Sequence, residues 1–261
     1  MREKISACVT TFNEERNVRR CLQSLTWCDE IVVVDSFSTD RTVELCREFT
    51  ERVYPHEWLG YIGQKNLIRR MASHPWILFV DADEEISPSL RAEILDELED
   101  HDGGIAGYQF PRMVNYIGRW IRHGEWYPDL KLRLFRKDRG RSGGQEPHDQ
   151  VFVNGPIKVL KGHLWHYTYD DLHDHLETMN RFSSITAQEK MRAESNFRWI
   201  DFLFRPPFRF LKAFILRRGF LDGWRGFLIA LISAFGVAMK YAKLWELEYR
   251  ERHADRGSAS S

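Results

Sequence analysis

The chain has 261 residues, 43% apolar and 29% charged. That suits one large domain, or one domain with an appendage, and excludes a wholly disordered chain and a multi-span membrane protein. Lys plus Arg and Asp plus Glu are both 38, so no overall basic field argues for nucleic acid.

Ile5–Thr10 is a short apolar run, the mark of a buried strand. Val18, Cys21, Leu22 and Leu25 then share one helix face. The β-branched run Ile31–Val34 ends at Asp35. Ser38 or Thr39 is placed to cap a helix whose inner face is Val43, Cys46 and Phe49. Arg52–Tyr54 reads as a brief strand, Tyr61–Met71 as a helix and Ile77–Val80 as a strand ending at Asp81. Ser87-Pro88 opens a helix lined by Leu90, Ile94 and Leu98. This alternation calls for an α/β fold, a mostly parallel sheet with helices on both faces. Ligands of such sheets bind beyond the carboxyl ends of the strands. Those ends carry Thr11–Glu15, Asp35–Asp40 and Asp81–Glu85, so polar residues collect on one rim.

His101–Gly104 is a polar turn, and Gly107–Val159 reads as short strands with glycines and prolines. Helix returns near Leu172 and runs to about Arg252, with breaks expected at Pro206-Pro207 and at Gly219. Residues 255–261 have the composition of a disordered tail. All four cysteines, Cys8, Cys21, Cys28 and Cys46, lie in the first fifth of the chain without a CxxC pair, as expected of reduced, buried thiols. The N-terminus reaches acidic residues before any long apolar stretch, so no secretory signal is expected and the compartment inferred is the cytoplasm.

A departing nucleoside diphosphate needs its growing negative charge neutralised, a task for Mg²⁺ or Mn²⁺ held by carboxylates at a strand end. Asp81-Ala82-Asp83 after Ile77–Val80 meets that need, although paired acids also solvate turns and favour helix starts. The set Thr11-Phe12-Asn13-Glu14-Glu15, Asp35-Ser36-Phe37-Ser38-Thr39-Asp40, Gln64-Lys65-Asn66 and Asp81-Ala82-Asp83 resembles the family 2 glycosyltransferases, inverting enzymes of GT-A fold, over about the first 100 residues. The resemblance implies that Thr11, Phe12, Asn13 and Glu14 border the nucleotide and that Asp35 accepts from the base, commonly uracil. Lys65 approaches the phosphates or the Asp81 region. Asp81 and Ala82 touch the nucleotide sugar, and Asp83, with Asp81, takes the metal. Asp40 orders its loop or caps the next helix, while Glu84 and Glu85 read as charges at a helix entry.

An inverting transfer needs a carboxylate to take the acceptor's proton. Asp149 is the first choice, Asp129 the alternative and Glu146 the third. The Asp129–Arg136 stretch followed by His148-Asp149 resembles bacterial lipopolysaccharide-core glycosyltransferases, often β-glucosyltransferases, where the pair is usually His-Glu. Among the later histidines, His173 and His175 point apart on a helix, which speaks against zinc. His166 stands where it can meet diphosphate or metal.

Arg198–Arg225 holds seven basic against two acidic side chains, interleaved with Phe and Trp, which suits an interface with anionic lipid headgroups. Gly226–Met239 is uncharged but spans only roughly 21 Å as helix, short of the ~30 Å hydrocarbon core. The expected organisation is a GT-A catalytic domain over 1–168, with a nucleotide-binding half (1–104) and an acceptor half (105–168), then a helical membrane-associating region over 169–254. The function expected is transfer from a nucleotide-diphosphate sugar to a lipid-attached glycan such as lipopolysaccharide core, by a monotopic enzyme on the cytoplasmic face of the inner membrane. A helix contacting a second subunit, giving a homo-oligomer, is the competing use of the apolar surface. A non-catalytic nucleotide-sugar-binding membrane adaptor is one alternative function. A sugar-phosphate nucleotidyltransferase is another, disfavoured because Thr10–Glu15 lacks the glycines of a phosphate loop.

Overall fold

The computed structural model describes residues 2–99, 104–146, 148–169 and 171–258; most of the turn expected at 101–104 lies outside them. In chain order the elements are β1 (Ile5–Thr11), α1 (Val18–Gln23), β2 (Glu30–Asp35), α2 (Thr42–Arg47), β3 (Val53–Pro55), α3 (Gly60–Met71), β4 (Trp76–Asp81), β5 (Glu84–Ile86) and α4 (Pro88–Glu99). There follow β6 (Gly107–Tyr116), β7 (Arg119–Trp120), β8 (Asp129–Arg136), β9 (Gly140–Gln145), β10 (His148–Val153), β11 (Ile157–Val159) and β12 (Leu164–Tyr169), and last α5 (Leu172–Arg192), α6 (Trp199–Leu211) and α7 (Gly223–Ser258). They form two compact units, one of residues 1–115 and 128–168, the other of 116–127 and 169–261.

The first unit is an α/β sheet with helices on both faces. Its strand order is β3-β2-β1-β4-β8-β6-β12-β5, with β11 beside β6. Strands β3, β2, β1 and β4 run parallel, and β8 turns antiparallel against β4. Period-two alternation sorts the apolar side chains onto two faces. Val9, Val33, Leu78 and Val80 pack with Val18, Leu22, Leu90 and Ile94 from α1 and α4. Cys8, Val32, Val34, Ile77, Phe79 and Phe135 pack with Ile68 and Ala72 from α3 and its end. Asp81 and Arg133 continue this second face beyond its apolar part, which is how β4 and β8 bring opposite charges together. A separate β9–β10 hairpin ribbon carries Asp149.

Some helix boundaries differ from expectation. Neither Ser38 nor Thr39 caps α2; its first amide, on Thr42, donates to Asp40 Oδ1 at 3.0 Å, and the buried face is Thr42, Leu45 and Cys46. Ser87 does cap α4, its hydroxyl accepting from the Leu90 amide at 3.2 Å. The four thiols are free, and burial pushes Cys8 and Cys46 up to about 12.

The helical unit is built on α5, α6 and α7. Ala187, Tyr241 and Leu244 form one core, with Phe202 packed against it. Tyr116, Ile121 and Ile229 form another, flanked by Trp126 and Tyr169. Buried Asp222 accepts from the His123 amide at 2.8 Å, tying residues 116–127 to the start of α7. His175 is structural: Nδ1 meets the Tyr116 hydroxyl at 2.8 Å, the Tyr169 ring stacks on it, and burial lowers its pKa to about 4. The break expected at Pro206-Pro207 does not occur, since both lie inside α6; breaks fall at 193–198, where Glu194 has φ 53°, and, as expected, at Gly219. The prolines remove the donors for the Phe202 and Leu203 carbonyls. α6 continues through the gap while packed on α7, then loosens into a wide π-type turn at Lys212–Leu216. α7 reaches Ser258, and residues 259–261 lie outside the described chain.

Candidate active site

The loops after β1 and β2 are laced together. Asp35, 1% exposed, accepts from the Thr11 hydroxyl at 2.9 Å and from the Ser38 amide at 2.8 Å. The Asn13 amide donates to Ser38 Oγ at 2.8 Å, and Asn13 Oδ1 accepts from the Thr39 amide at 2.8 Å. Asp40 both orders the loop, accepting from the Glu15 amide, and holds the first turn of α2 through Thr42. Asn13 and Phe37 lie in the left-handed region at φ 54° and 61°. This tight backbone leaves the rings of Phe12 and Phe37 each 57% exposed at adjacent strand ends. Phe37 was not singled out from sequence; a bulky apolar residue inside a polar turn is the signal that marks it.

Helix α3 is the hub. Consecutive helical side chains fan out by about 100° each, and Gln64, Lys65 and Asn66 use that fan to reach different elements. Gln64 Nε2 donates to Ser36 Oγ at 2.9 Å in the loop after β2. Lys65 Nζ stands 3.1 Å from Asp81 on β4 and 3.0 Å from Asp149 on β10. Asn66 bonds the Ser142 backbone on β9 twice, Nδ2 donating to its carbonyl at 2.8 Å and Oδ1 accepting from its amide at 3.1 Å. The start of α3 is held by Glu146, whose carboxylate accepts from the amides of Tyr61 and Ile62 at 3.2 and 3.0 Å. At Gly60, φ is +80° and an added Cβ would come within 2.7 Å of Glu146 Oε1, so this turn requires glycine.

At the end of β4, Asp81 has one oxygen on Lys65 and the other on Arg133 Nη2, at 2.5 Å. Burial alone would push its carboxyl up; Arg133 and Lys65 outweigh that and hold it well below the carboxylate range. Glu84 was expected at the helix entry. Instead it is buried, folding back so that Oε2 accepts from the Asp81 amide at 3.0 Å while Oε1 meets Arg133 at 3.2 Å. Ala82 packs into the core behind the turn. Asp83 turns the other way, and its Oδ2 lies 3.0 Å from His166 Nε2 on β12. The Thr168 hydroxyl at 2.8 Å from Nδ1 fixes that imidazole. Glu14 faces the same corner; burial, then the charge of Asp83, raises its pKa to about 7.

The three acids weighed as base have different surroundings. Asp149 contacts Lys65 and is largely buried. Asp129 is clamped, accepting from Arg112 Nε and Nη2 at 3.0 and 2.8 Å and pairing with Lys131 at 3.1 Å. Glu146 is spent on the amides of α3. Among the described residues no three His, Cys, Asp or Glu side chains could hold a metal by themselves. Asp83 and His166 offer one oxygen and one nitrogen, a donor set that fits a cation completed by the oxygens of a diphosphate. Asp81, the other acid expected at the ion, has a cationic side chain on each oxygen.

Polar loops, carboxylates and one imidazole thus gather at the carboxyl ends of the parallel strands. The Glycosyl transferase family 2 model matches residues 6–159, and the chain belongs to that family. It is 30% identical over 257 residues to the lipopolysaccharide core biosynthesis glycosyltransferase LpsC of Rhizobium meliloti, covering 96% of this chain and 93% of the relative. It is 31% identical over 264 residues to an uncharacterized glycosyltransferase of Rickettsia typhi, covering 96% and 90%. Staphylococcus aureus TarS 1-349, solved in complex with UDP-GlcNAc, aligns with a TM-score of 0.48 at 16% identity over 95% of this chain and 92% of that one.

Proposed function

We propose that this glycosyltransferase moves a sugar, with inversion, from a UDP-sugar to a hydroxyl of a lipid-attached glycan of the lipopolysaccharide-core type. The observation that carries the reading is the Asp83–His166 pair at 3.0 Å beside the ammonium shared by Asp81 and Asp149. Asp83 and His166 would hold Mg²⁺ or Mn²⁺, which when bound would neutralise charge on the departing diphosphate. Thr11, Asn13 and Glu14 border the nucleotide, Asp35 keeps its loop in shape for the base, and Phe12 and Phe37 lie against the base. Asp81, held by Lys65 and Arg133, accepts from hydroxyls of the donor sugar, with Ala82 at its side. Asp149 takes the proton of the acceptor hydroxyl as that oxygen attacks the anomeric carbon from the face opposite the diphosphate. An α-linked donor therefore gives a β-linked product. The acceptor class is supported by the relative named for lipopolysaccharide core biosynthesis.

The helical unit lies on the cytoplasmic face of the inner membrane in this reading. Trp199, Phe204, Phe208, Leu216, Phe220 and Trp224 are exposed there among arginines. Among the described residues, Gly219–His253 is the one helical stretch long and apolar enough to cross a membrane. The test is transfer of labelled sugar from UDP-sugars to lipopolysaccharide-core acceptor with Mn²⁺ present. Asp83→Asn and His166→Ala should each lower the rate at least about a hundredfold with the fold retained. Wild-type rates in both would remove the reading, and donor binding without turnover on any acceptor would favour the adaptor.

A further inference from the structure

Helix α3 has no cap of its own. Leu59 stands at its N-cap position with no side-chain oxygen to offer, and no acid lies in the first turn. The acceptors that the first amides need come from the tip of the β9–β10 ribbon instead. Glu146 Oε2 takes the Tyr61 amide, 85 residues away in sequence, and Oε1 takes the Ile62 amide. A carboxylate is also the charge that the start of a helix favours. The helix and the ribbon tip therefore hold each other.

The ribbon needs that hold. It is a two-stranded sheet apart from the main one, and a lone hairpin is marginally stable in water. At its base, Val151 and Val153 pack against the cluster around Phe135. Toward the tip this support ends, and Asp149 stands there, opposite Gly144, which has φ 100° and no side chain to set against it. Three ties from α3 take over. Asn66 grips both backbone groups of Ser142, which lies opposite Val151 on the base side of Asp149. Glu146 fastens the tip side. Lys65 reaches Asp149 between them, but its ammonium is shared with Asp81 and does not fix Asp149 by itself. Asp149 is thus bracketed by two anchors on one helix. Without the outer one, the tip is free to swing about the Asn66–Ser142 bonds.

We infer that Glu146 is a positioning residue for the transfer: by capping α3 from outside the helix, it locks the ribbon tip and sets where the Asp149 carboxylate stands. The inference rests on Asp149 as the proton acceptor proposed above and adds the device that aims it. Misplacing a reacting group by about 1 Å costs on the order of a hundredfold in rate, so this tie acts on turnover rather than on donor binding.

Steady-state transfer of labelled sugar and calorimetric binding of the UDP-sugar, both on the full chain, test it. Glu146→Ala should lower kcat by about tenfold or more while the donor Kd stays within about twofold of the parent. Leu59→Asp/Glu146→Ala gives α3 a cap of its own without holding the ribbon; it should recover the melting temperature and leave kcat low. In an Asp149→Asn background there is no base left to aim, and Glu146→Ala should cost less than about a further twofold. Should Glu146→Ala misfold, Glu146→Gln, which keeps one of the two acceptor oxygens, should still lower kcat by about threefold or more. Undiminished kcat in a folded Glu146 variant, recovery of kcat together with the melting temperature in Leu59→Asp/Glu146→Ala, or a full additional loss in the Asp149→Asn background would each overturn the assignment. Wild-type transfer by Asp149→Asn would remove the base reading as well; an inactive Asp149→Asn beside a fully active Glu146→Ala overturns this inference alone.

Discussion

The two units handle expensive groups in opposite ways. The sheet unit takes charge out of water: Lys65, Arg133 and Glu84 are nearly inaccessible, and each is paired. The helical unit leaves apolar bulk in water, with Phe204 and Leu216 more than 60% exposed. Buried, fixed charges give a transition state an environment that needs no rearrangement. Exposed aromatics stabilise nothing in the isolated chain and gain only when a partner covers them. On the proposed reading, chemistry belongs to the first unit and attachment to the second.

The largest expected effect breaks the first half of this contrast. Arg133→Met takes from buried Glu84 its nearest cation and from Asp81 one of its two, and urea unfolding should show a loss of about 3 kcal/mol. An unchanged midpoint would mean that these ion pairs do not hold the sheet rim together. Asp149→Asn comes next. Transfer should fall by about a hundredfold or more with donor affinity kept, whereas Asp129→Asn, which only frees Arg112 and Lys131, should change the rate a few fold. The reverse order would move the proton-accepting role to Asp129.

Glu14 gives a smaller, pH-dependent effect. Its folded pKa of about 7 lies above its ordinary value of 4.5, so the folded state holds a proton that the unfolded chain has released. Its stabilising contribution is complete below about pH 4.5 and is lost as pH rises through 7. Without added metal, stability should fall by about 1 kcal/mol between pH 6 and pH 8, and Glu14→Gln should flatten that slope in thermal melts. The smallest effect sharpens the other half of the contrast. Leu216→Ser and Phe220→Ser should stay within about 0.5 kcal/mol of the parent while weakening vesicle flotation; a large loss of stability would show that the exposed face packs internally.

Strands β2 and β4 and the acids at their ends were legible because each is a local run: four or five apolar residues followed by Asp. So was the cap at Ser87. What escaped was decided by partners far apart in sequence. Nothing near Glu84 announces that Arg133 will bury it, and Glu146 looks like a loop acid until it meets the amides of α3. The Gln64-Lys65-Asn66 triplet was recognisable as a motif, but its logic, with different side chains reaching different strands, exists only in three dimensions. Arg133 left one trace, a charge alternating with leucines along β8, which places it on the same face as Asp129. The prolines of α6 misled because local propensity says break, while the contacts of α6 with α7 say continue.

One ammonium serving two acids has a temporal consequence. If Asp149 takes up the acceptor's proton, its negative charge disappears and Asp81 no longer has a rival for Lys65. Under that assignment, completed transfer beside Asp149 would tighten the Lys65–Asp81 pair, on the side where the spent nucleotide must be let go. A relay of that kind needs no moving loop, only a lysine whose loyalties are divided until the bond is made.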